Sequence, residues 1–331
     1  MSEIIQQSKK NIQPESKKIA IYLTNRCNLK CKHCFIEGSP ENNNFLTINQ
    51  VNTALKYFIK HGADRVEFTG GESCMSPQLI PSTKLAKKLG YIVGVNTNGI
   101  NPLLINKLDN KYVDKITISL DGASSETHDF LRGKGVFNIV INTIKLAISK
   151  GFRTEAIYTV HKLNFHEIKQ AITLLDNLGI KRLSFNFISN QGTAILNQEL
   201  LLPPEKWIEA RKIIDKNNKT NQMSIRYPIL FATPSEFAEI RKNSNYFCRL
   251  LEPIKTEIYP DGKIYHCCLI TDNNNLSSGK VTDNKVIMDT VEEHKFALKY
   301  QHMSCPIHAI KKLYASASDL IPLCIYYKSI T

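Results

Sequence analysis

The sequence lacks any long hydrophobic run. No stretch approaches the roughly 18 apolar residues that a membrane-spanning helix needs, and the N-terminus has no apolar core of the kind found in signal peptides. These absences argue against a helical membrane protein and against a secreted one. We therefore expect a cytoplasmic protein with no membrane partner.

The sequence also lacks a dense basic segment interleaved with aromatic residues, although its formal net charge is +13. Lys and Arg are spread along the whole chain, from Lys10 to Lys311. A solvated basic surface is the simplest interpretation; attraction to an acidic peptide, a phosphorylated small molecule or RNA is the alternative. The absence of a basic cluster argues against nucleic acid as the partner.

The nine cysteines are poor candidates for a disulfide framework, because the cytosol keeps thiols reduced. They are better candidates for metal ligands or reactive thiols. At 331 residues, the chain has room for one large α/β barrel domain with a smaller appendage, or for two ordinary domains. Residues 1–18 are polar and have little periodicity, so we expect a flexible N-terminal arm there.

From Ile19 onward, short β-rich runs alternate with amphipathic stretches, which is the pattern of repeated βα units and a parallel sheet. The predicted strands cover residues 19–25, 65–69, 91–97, 115–120, 154–160 and 182–188, with 225–231 as one further candidate. The predicted helices cover residues 47–60, 77–89, 136–150 and 166–178, and a later helix follows Pro203 and Pro204. Thr47 is a good N-cap for the first of them.

The alternation stops beyond Phe237. There, residues 256–259 and 263–266 flank Pro260-Asp261-Gly262, which predicts a β-hairpin around a tight turn. We therefore divide the chain into an arm (1–18), an α/β domain (19–235) and a C-terminal domain (236–331) that contains the hairpin.

Cys27, Cys31 and Cys34 follow the first predicted strand with the spacing C-x3-C-x2-C. Three thiolates in one short loop suit three corners of a 4Fe-4S cubane, because thiolate is the usual ligand of iron–sulfur clusters. The fourth iron is then open to the amino and carboxylate groups of a small molecule. A zinc site is the alternative, but its fourth ligand would be His33, whose position between two of the cysteines strains the loop.

This pattern resembles the signature of the radical S-adenosylmethionine (radical SAM) superfamily, in which an aromatic residue, here Phe35, commonly follows the last cysteine. Gly70, Gly71 and Glu72 follow the second strand, where the family has a GGE motif. The resemblance implies that this backbone and the Glu72 side chain hold the amino group of S-adenosylmethionine, with glycine allowing a close approach. A simple turn would explain the motif if it stood alone.

Two further strand ends resemble the same superfamily. Asn98 follows the third strand, and Ser119 and Asp121 follow the fourth, ahead of Arg132. The resemblance implies that these residues bind the cofactor, with Ser119 at its ribose or carboxylate and Arg132 pairing with a carboxylate. Ordinary turn residues, with Arg132 in solvent, are the alternative. The implied fold is a partial (β/α)6 TIM-like barrel, which places its chemistry at the carboxyl ends of its strands.

Cys248, Gly262 and Cys267 fit the C-x(9–15)-G-x4-C pattern of the SPASM and twitch domains, which hold auxiliary iron–sulfur clusters. The chain departs from the full SPASM pattern, because only Cys305 and Cys324 follow in place of a dense cysteine run. The resemblance implies a small C-terminal iron–sulfur domain with one auxiliary 4Fe-4S cluster on these four cysteines. Ordinary burial of Cys305 and Cys324 is the alternative, and it would leave one iron open.

Cys268 stands directly after Cys267. Neighbouring residues on a strand point to opposite faces, so if Cys267 faces the auxiliary cluster, Cys268 is predicted to face away from it. The resemblance to SPASM-type enzymes implies that this position faces the substrate. A similar Cys-Cys pair occurs in radical SAM peptide epimerases, where the thiol donates a hydrogen atom to a Cα radical. The resemblance thus implies a catalytic Cys268, and a buried spare thiol is the alternative.

The resemblance implies an isomerase or oxidoreductase that reductively cleaves S-adenosylmethionine to a 5′-deoxyadenosyl radical, with an electron donor such as flavodoxin or ferredoxin. The favoured substrate is a ribosomally made peptide, and epimerisation is favoured over cross-linking. We expect no separate leader-binding domain before the barrel, which counts against a peptide. A dehydrogenase or epimerase for a sugar or aminocyclitol is the alternative, followed by a non-catalytic iron–sulfur or RNA-binding protein.

Overall fold

A computed structural model describes residues 17–189, 191–220, 223–243, 255–267, 277–289 and 320–330. Three cysteines with predicted roles, Cys248, Cys268 and Cys305, lie outside these residues. Cys324 lies in the last described strand, Ile321–Ile330.

The described strands form a single sheet. They are β1 (Lys17–Tyr22), β2 (Ala63–Thr69), β3 (Ile92–Thr97), β4 (Lys115–Ser119), β5 (Arg153–Val160), β6 (Arg182–Phe187), β7 (Ser224–Ala232), β8 (Lys255–Ile258), β9 (Lys263–Tyr265), β10 (Gly279–Val281), β11 (Val286–Met288) and β12 (Ile321–Ile330). Their order across the sheet is β11-β10-β9-β8-β1-β2-β3-β4-β5-β6-β7-β12. Strands β1 to β7 pair in parallel in chain order, as expected for repeated βα units.

The helices lie between the parallel strands. They are α1 (Ile48–Lys60), α2 (Leu79–Lys88), α3 (Pro102–Lys107), α4 (Ser125–Arg132), α5 (Val136–Ser149), α6 (Ile168–Asn177), α7 (Pro204–Lys216) and α8 (Pro234–Asn243). Short 3-10 helices cover Ser73–Met75, Phe165–Glu167 and Gly192–Leu200. Thr47 caps α1 in a capping box with Gln50, as its position predicted.

The two faces of the sheet differ in chemistry. On β1, Ile19 and Ile21 belong to the main core together with buried residues of the helices, whereas Ala20 and Tyr22 belong to a separate cluster. Because side chains alternate along a strand, these sets lie on opposite faces. The helices therefore cover one face, and we call the other the inner face.

The C-terminal part of the chain extends both edges of this sheet. Strand β8 pairs in parallel with β1, and β8 to β11 form an antiparallel meander. The predicted hairpin is confirmed as β8 and β9, with Gly262 in the turn at φ 83°. At the other edge, β12 pairs antiparallel with β7. The proposed domain boundary after residue 235 stays a prediction.

The predicted elements of the βα region are confirmed to within a few residues at their ends. Strand β1 begins at Lys17, two residues before its expected start and inside the expected arm. Helices α3 and α4 were not predicted, because short segments have too few turns to show a clear period. Among the described residues, no helix has both the length and the apolar character required to cross a bilayer.

Candidate cluster and cofactor site

The cysteine triad lies in the loop that follows β1. The N–H of Cys27 donates to Ser39 O at 3.0 Å, and the N–H of Cys34 donates to Cys31 O at 3.2 Å. Cys27 is buried, whereas Cys31 and Cys34 are partly buried. The loop thus folds back on itself and draws its three thiols away from bulk water.

The surroundings of these thiols suit a metal cofactor. The N–H of Gly38 donates to Cys34 Sγ at 3.4 Å, and Asn98 Nδ2 lies 3.8 Å from Cys27 Sγ as a donor. Burial raises the pKa of the Cys27 thiol to about 11 and that of Cys31 to about 12. Free thiols here stay protonated at neutral pH, so a bound metal would have to supply the charge that stabilises their thiolates.

The arrangement of the residues around the triad favours an iron–sulfur cluster over a single metal ion. Within the described part of the chain, no three Cys, His, Asp or Glu side chains are placed to hold one metal ion together. Thiolates that share one zinc lie about 4 Å apart, given Zn–S bonds of about 2.3 Å in a tetrahedron. In a cubane, each thiolate binds a different iron, so the sulfurs lie further apart. The buried polar atoms Asn25 Oδ1, Arg26 Nε and His33 Nδ1 also lack hydrogen-bond partners at this loop. The residues therefore fit a 4Fe-4S cluster better than zinc.

Two other segments fix the triad loop. The N–H of Lys32 donates to Leu131 O of α4 at 3.1 Å. From the 3-10 helix Gly192–Leu200, the N–H of Thr193 donates to Cys34 O at 2.8 Å. Gly192 packs so closely that a Cβ there would lie 2.5 Å from Cys34 O. These contacts were not predicted, because no local pattern links residues so distant in sequence.

The glycines of the GGE motif pack against the start of the same loop. The N–H of Gly71 donates to Thr24 O at 2.7 Å, and the N–H of Glu72 donates to Arg26 O at 2.9 Å. A Cβ on Gly71 would lie 2.5 Å from Arg26 O. Glycine is therefore required at position 71 by its contact with the triad loop itself, a requirement that the motif alone did not reveal.

Glu72 is buried, and both of its carboxylate oxygens accept hydrogen bonds from the protein. Thr97 Oγ1 donates to Oε1 at 2.8 Å, and the N–H of Cys74 donates to the same oxygen at 3.2 Å. The N–H of Asn98 donates to Oε2 at 2.6 Å. The Glu72 side chain was expected to hold the amino group of a cofactor. Its observed bonds tie the end of β2 to the end of β3, and its contact with the amino group stays a prediction.

The remaining strand-end residues are close to the triad to different degrees. Asn98 donates from Nδ2 to Asn28 Oδ1 at 2.8 Å, in addition to its contact with Cys27, so it links β3 to the loop. Ser119 is the last residue of β4 and is partly buried. Both lie at the carboxyl ends of parallel strands, where side chains of neighbouring strands meet.

Asp121 and Arg132 bind each other. Arg132 Nε donates to Asp121 Oδ2 at 2.5 Å, and His33 Nε2 lies 3.2 Å from the same oxygen. Arg132 was predicted to pair with a carboxylate of the cofactor or to lie in solvent. It is buried and pairs with a carboxylate of its own chain. The contact with Asp121 occupies Nε2 of His33, whereas its Nδ1 has no hydrogen-bond partner.

The C-terminal cysteines are only partly described. Cys267 is the second residue after β9, is partly buried and packs against the inner-face cluster that contains Tyr259 and Tyr265. Cys324 lies in β12, between Pro322 and Tyr326, where the register against β7 shifts. Strands β9 and β12 stand near opposite ends of the strand order. Cys248, Cys268 and Cys305 lie outside the described residues, so their predicted roles stay predictions.

A parallel βα sheet with three thiols after its first strand and a buried acid after its second defines a class of enzyme that binds a metal cofactor at the strand ends. Residues 21–175 match the model of the radical SAM superfamily. These residues, just under half of the chain, are similar to a superfamily whose cofactors are a 4Fe-4S cluster and S-adenosylmethionine, and whose SPASM-type members carry auxiliary clusters.

Two relatives differ in how much of their length is matched. The chain is 33% identical over 200 residues to the antilisterial bacteriocin subtilosin biosynthesis protein AlbA of Bacillus subtilis, which is 58% of this chain and 43% of AlbA. It is 28% identical over 264 residues to a probable GTP 3′,8-cyclase of Saccharolobus solfataricus, which is 77% of this chain and 83% of the relative. The match thus spans less than half of AlbA.

Solved structures confirm the fold. Streptococcus suis SuiB bound to S-adenosylmethionine has a TM-score of 0.64 at 18% identity, covering 83% of this chain and 66% of SuiB. Native anSMEcpe with bound AdoMet has a TM-score of 0.62 at 16% identity, covering 88% and 83%. The predicted α/β fold, a partial barrel with further antiparallel strands, is therefore confirmed.

Proposed function

We propose that this chain reductively cleaves S-adenosylmethionine and abstracts a hydrogen atom from a ribosomally made peptide. Cys27, Cys31 and Cys34 are the proposed ligands of the 4Fe-4S cluster. The observation that carries the proposal is the contact between the triad loop and the GGE segment, where Gly71 and Glu72 bond to residues just before Cys27. A cluster on the triad and a cofactor on the GGE backbone would then be neighbours.

The bound cluster would supply the electron that cleaves S-adenosylmethionine. The protein binds and orients the reactants. We propose that the backbone at Gly70 and Gly71 binds the amino group of the cofactor, with Glu72 holding that segment against β3. Asn98 fixes the orientation of the loop at Cys27, and Ser119 is the proposed contact to the ribose or carboxylate. The hydrogen bonds from Lys32 N–H to Leu131 O and from Thr193 N–H to Cys34 O limit the movement of the triad loop.

A peptide substrate is supported by the relationship to AlbA, a bacteriocin biosynthesis protein, at 33% identity. We propose epimerisation, with Cys268 donating a hydrogen atom from the face opposite to the abstraction. Cys267 is the second residue after β9, and alternation along an extended chain there would turn its neighbour to the other face, which supports this proposal. Cys248, Cys267, Cys305 and Cys324 are the proposed ligands of one auxiliary cluster, and a low-potential electron carrier such as flavodoxin or ferredoxin is the proposed donor.

A small-molecule substrate is the second candidate. The probable GTP 3′,8-cyclase is matched over 83% of its length, a larger share than for AlbA, although at lower identity. A product that keeps the mass of a peptide substrate would indicate epimerisation, and a product that has lost two hydrogens would indicate cross-linking or dehydrogenation. Turnover of a sugar or aminocyclitol, with none of a peptide, would favour the second candidate.

The first test is cleavage of the cofactor. Iron-reconstituted protein is incubated anaerobically with S-adenosylmethionine and dithionite, and 5′-deoxyadenosine is measured for the wild type, Cys27→Ala and Cys74→Ala. Cys74 is a matched control, because it is a nearby cysteine outside the triad whose Sγ is 3.8 Å from Asn101 Nδ2. We expect product from the wild type and Cys74→Ala, and none from Cys27→Ala. Equal product from both variants would contradict the assignment of the triad.

The second test concerns Cys268. A candidate precursor peptide encoded beside the gene is incubated with the enzyme in D2O, where the thiol proton exchanges with solvent. Epimerisation removes one Cα hydrogen and returns one deuterium, so the mass increases by about 1 Da per event. One electron from the carrier protein and one deuteron from the solvent must then restore the Cys268 thiol. Cys268→Ala is expected to form deoxyadenosine without the deuterated product, and the same deuterated product from this variant would rule out the donor role.

A further inference from the structure

A buried ion pair lies next to the triad loop and has no part in the cleavage proposed above. It consists of Asp121, which follows β4, and Arg132, the last residue of α4, which are 0% and 9% exposed. Their side chains meet at 2.5 Å from Nε to Oδ2. Burying a pair of charges is costly, and such a pair is often no more stabilising than apolar residues of the same size. Stability alone is therefore a weak explanation for it.

Asp121 is held in place by several partners. The N–H of Thr159 donates to Oδ1 at 2.7 Å, and His33 Nε2 contacts Oδ2 at 3.2 Å. Asn164 Nδ2 donates to the backbone oxygen of Asp121 at 2.9 Å. Burial by itself would raise the pKa of Asp121, but the charge of Arg132 and the contact with His33 hold that pKa well below its ordinary value. The side chain is therefore a fixed, buried negative charge.

The pair is connected to the triad through the chain as well as through space. His33 stands between Cys31 and Cys34, and the N–H of Lys32 donates to O of Leu131, the residue before Arg132. Burial raises the pKa of the Cys31 thiol, and the positive charge of Arg132 opposes that rise. A positive and a negative charge thus lie at the edge of the loop, and His33 links the negative one to it.

We propose that Arg132 and Asp121 are positioning residues that set the reduction potential of the cluster, with His33 as the link to the triad loop. This inference rests on the proposed function, because it requires a cluster on the triad. Reduction adds one negative charge to a cluster. A fixed positive charge nearby stabilises the reduced form and raises the potential, whereas a fixed negative charge lowers it, and the effect is strong where water is excluded.

The test is a redox titration of the reconstituted protein, followed by electron paramagnetic resonance of the reduced cluster on the triad. We compare the wild type, Asp121→Asn, Arg132→Met and the double variant. Asp121→Asn is expected to shift the midpoint potential upward and Arg132→Met downward, while the double variant returns toward the wild-type value. His33→Leu is expected to lower the potential, and His33→Gln, which keeps a side-chain N–H donor, to restore it.

Arg211→Met is the matched control. Arg211 is 9% exposed and donates to Phe231 O and Glu236. Its replacement by methionine therefore removes a comparable buried charge away from the triad loop. Its potential is expected to match that of the wild type. Shifts of the same sign in Asp121→Asn and Arg132→Met, or none in Asp121→Asn with the cluster intact, would overturn the inference. If Arg132→Met fails to assemble a cluster, the midpoint potential of the isosteric variant Asp121→Asn tests the inference by itself. A wild type that holds the cluster but forms no deoxyadenosine would count against the proposed function instead.

Discussion

The two ends of the parallel strands bury charges in different ways. At the carboxyl ends, Glu72 accepts hydrogen bonds from backbone N–H groups and Thr97, and Asp121 binds Arg132, a backbone N–H group and His33 of the triad loop. Toward the amino ends, acidic and basic side chains on the inner face pair with one another. We call this second set the charged floor, and its members are Lys18, Glu67, Lys115, Glu155, Lys255 and Glu257.

The members of the charged floor form ion pairs with one another, and Glu155 also pairs with Arg153 and Arg182. Glu67 contacts the ammonium groups of Lys18 at 2.5 Å and Lys115 at 2.7 Å, and Lys115 reaches Glu155 at 3.2 Å. At the carboxyl ends, by contrast, polar atoms such as His33 Nδ1 and Asn96 Oδ1 are buried without partners. Paired charges hold strands together, whereas unpaired polar atoms around thiols are typical of a site that binds something. Burial of charge alone therefore does not identify a functional site.

Two glycine substitutions would test this contrast most strongly. Gly71→Ala would place a Cβ 2.5 Å from the backbone oxygen of Arg26, which cannot move without moving the triad loop. At Gly94, beside the charged floor, the new Cβ would meet side-chain carbons and no backbone atom, namely Lys115 Cε at 3.0 Å and Glu67 Cγ at 3.1 Å. We expect Gly71→Ala to lose cluster assembly, measured by bound iron and visible absorbance. Gly94→Ala should retain the cluster, and its loss there would contradict the division between the two ends.

Glu72→Ala is expected to have the next largest effect. It removes the acceptor for Thr97 Oγ1 and for the N–H groups of Cys74 and Asn98, and buried donors without partners are costly. We expect the free energy of unfolding to fall by about 4 kcal/mol, measured by urea denaturation. Glu41→Ala is the control, because Glu41 pairs with Lys30 at the surface and should change stability little.

Glu67→Gln should destabilise the charged floor without affecting the cluster. The loss of one partner of a buried ion pair is expected to cost about 3 kcal/mol at neutral pH. Burial alone would raise the pKa of Glu67, but Lys18 and Lys115 hold it below its ordinary value. The stabilisation is therefore present above the unfolded-state pKa and is lost as pH falls. In denaturation series from pH 7 to pH 3, the difference between wild type and variant should shrink below about pH 4.3; a constant difference would contradict the ion-pair interpretation.

Thr97→Val is expected to have the smallest effect of the four. It preserves the shape of the side chain but removes the donor to Glu72 Oε1 and the acceptor of the Gly99 N–H. We expect a loss of about 1 kcal/mol in unfolding free energy. If Glu72 serves mainly to position the GGE segment, the KM for S-adenosylmethionine should rise as well. Thr154→Val, which loses only a local bond to Phe152 O, provides the comparison and should leave that KM unchanged.

Most of the βα region was predictable, because hydrophobic periodicity and helix-ending glycines are local properties of the sequence. The strand ends that carry Asn98 and Ser119 were located for the same reason. The partners of these residues were not. Arg132 was expected at a cofactor carboxylate or in solvent, and the proximity of Asp121 depends on how α4 packs below the loop. The hydrogen bond from Thr193 N–H to Cys34 O joins segments more than 150 residues apart, and the spacing of residues along the chain cannot indicate such a contact.

The sequence by itself determined the alternation of strands and helices, the position of the three thiols after β1 and the match of residues 21–175 to the radical SAM superfamily, because each depends on residue type and spacing along the chain. The tertiary structure decided which polar groups meet. It places Glu72 against Thr97 and Asn98, joins His33 to Asp121 and Arg132, and closes Gly192 onto Cys34. Such contacts arise only when parallel strands bring their carboxyl ends together, since the buried groups must then find hydrogen-bond partners among the neighbours that packing provides.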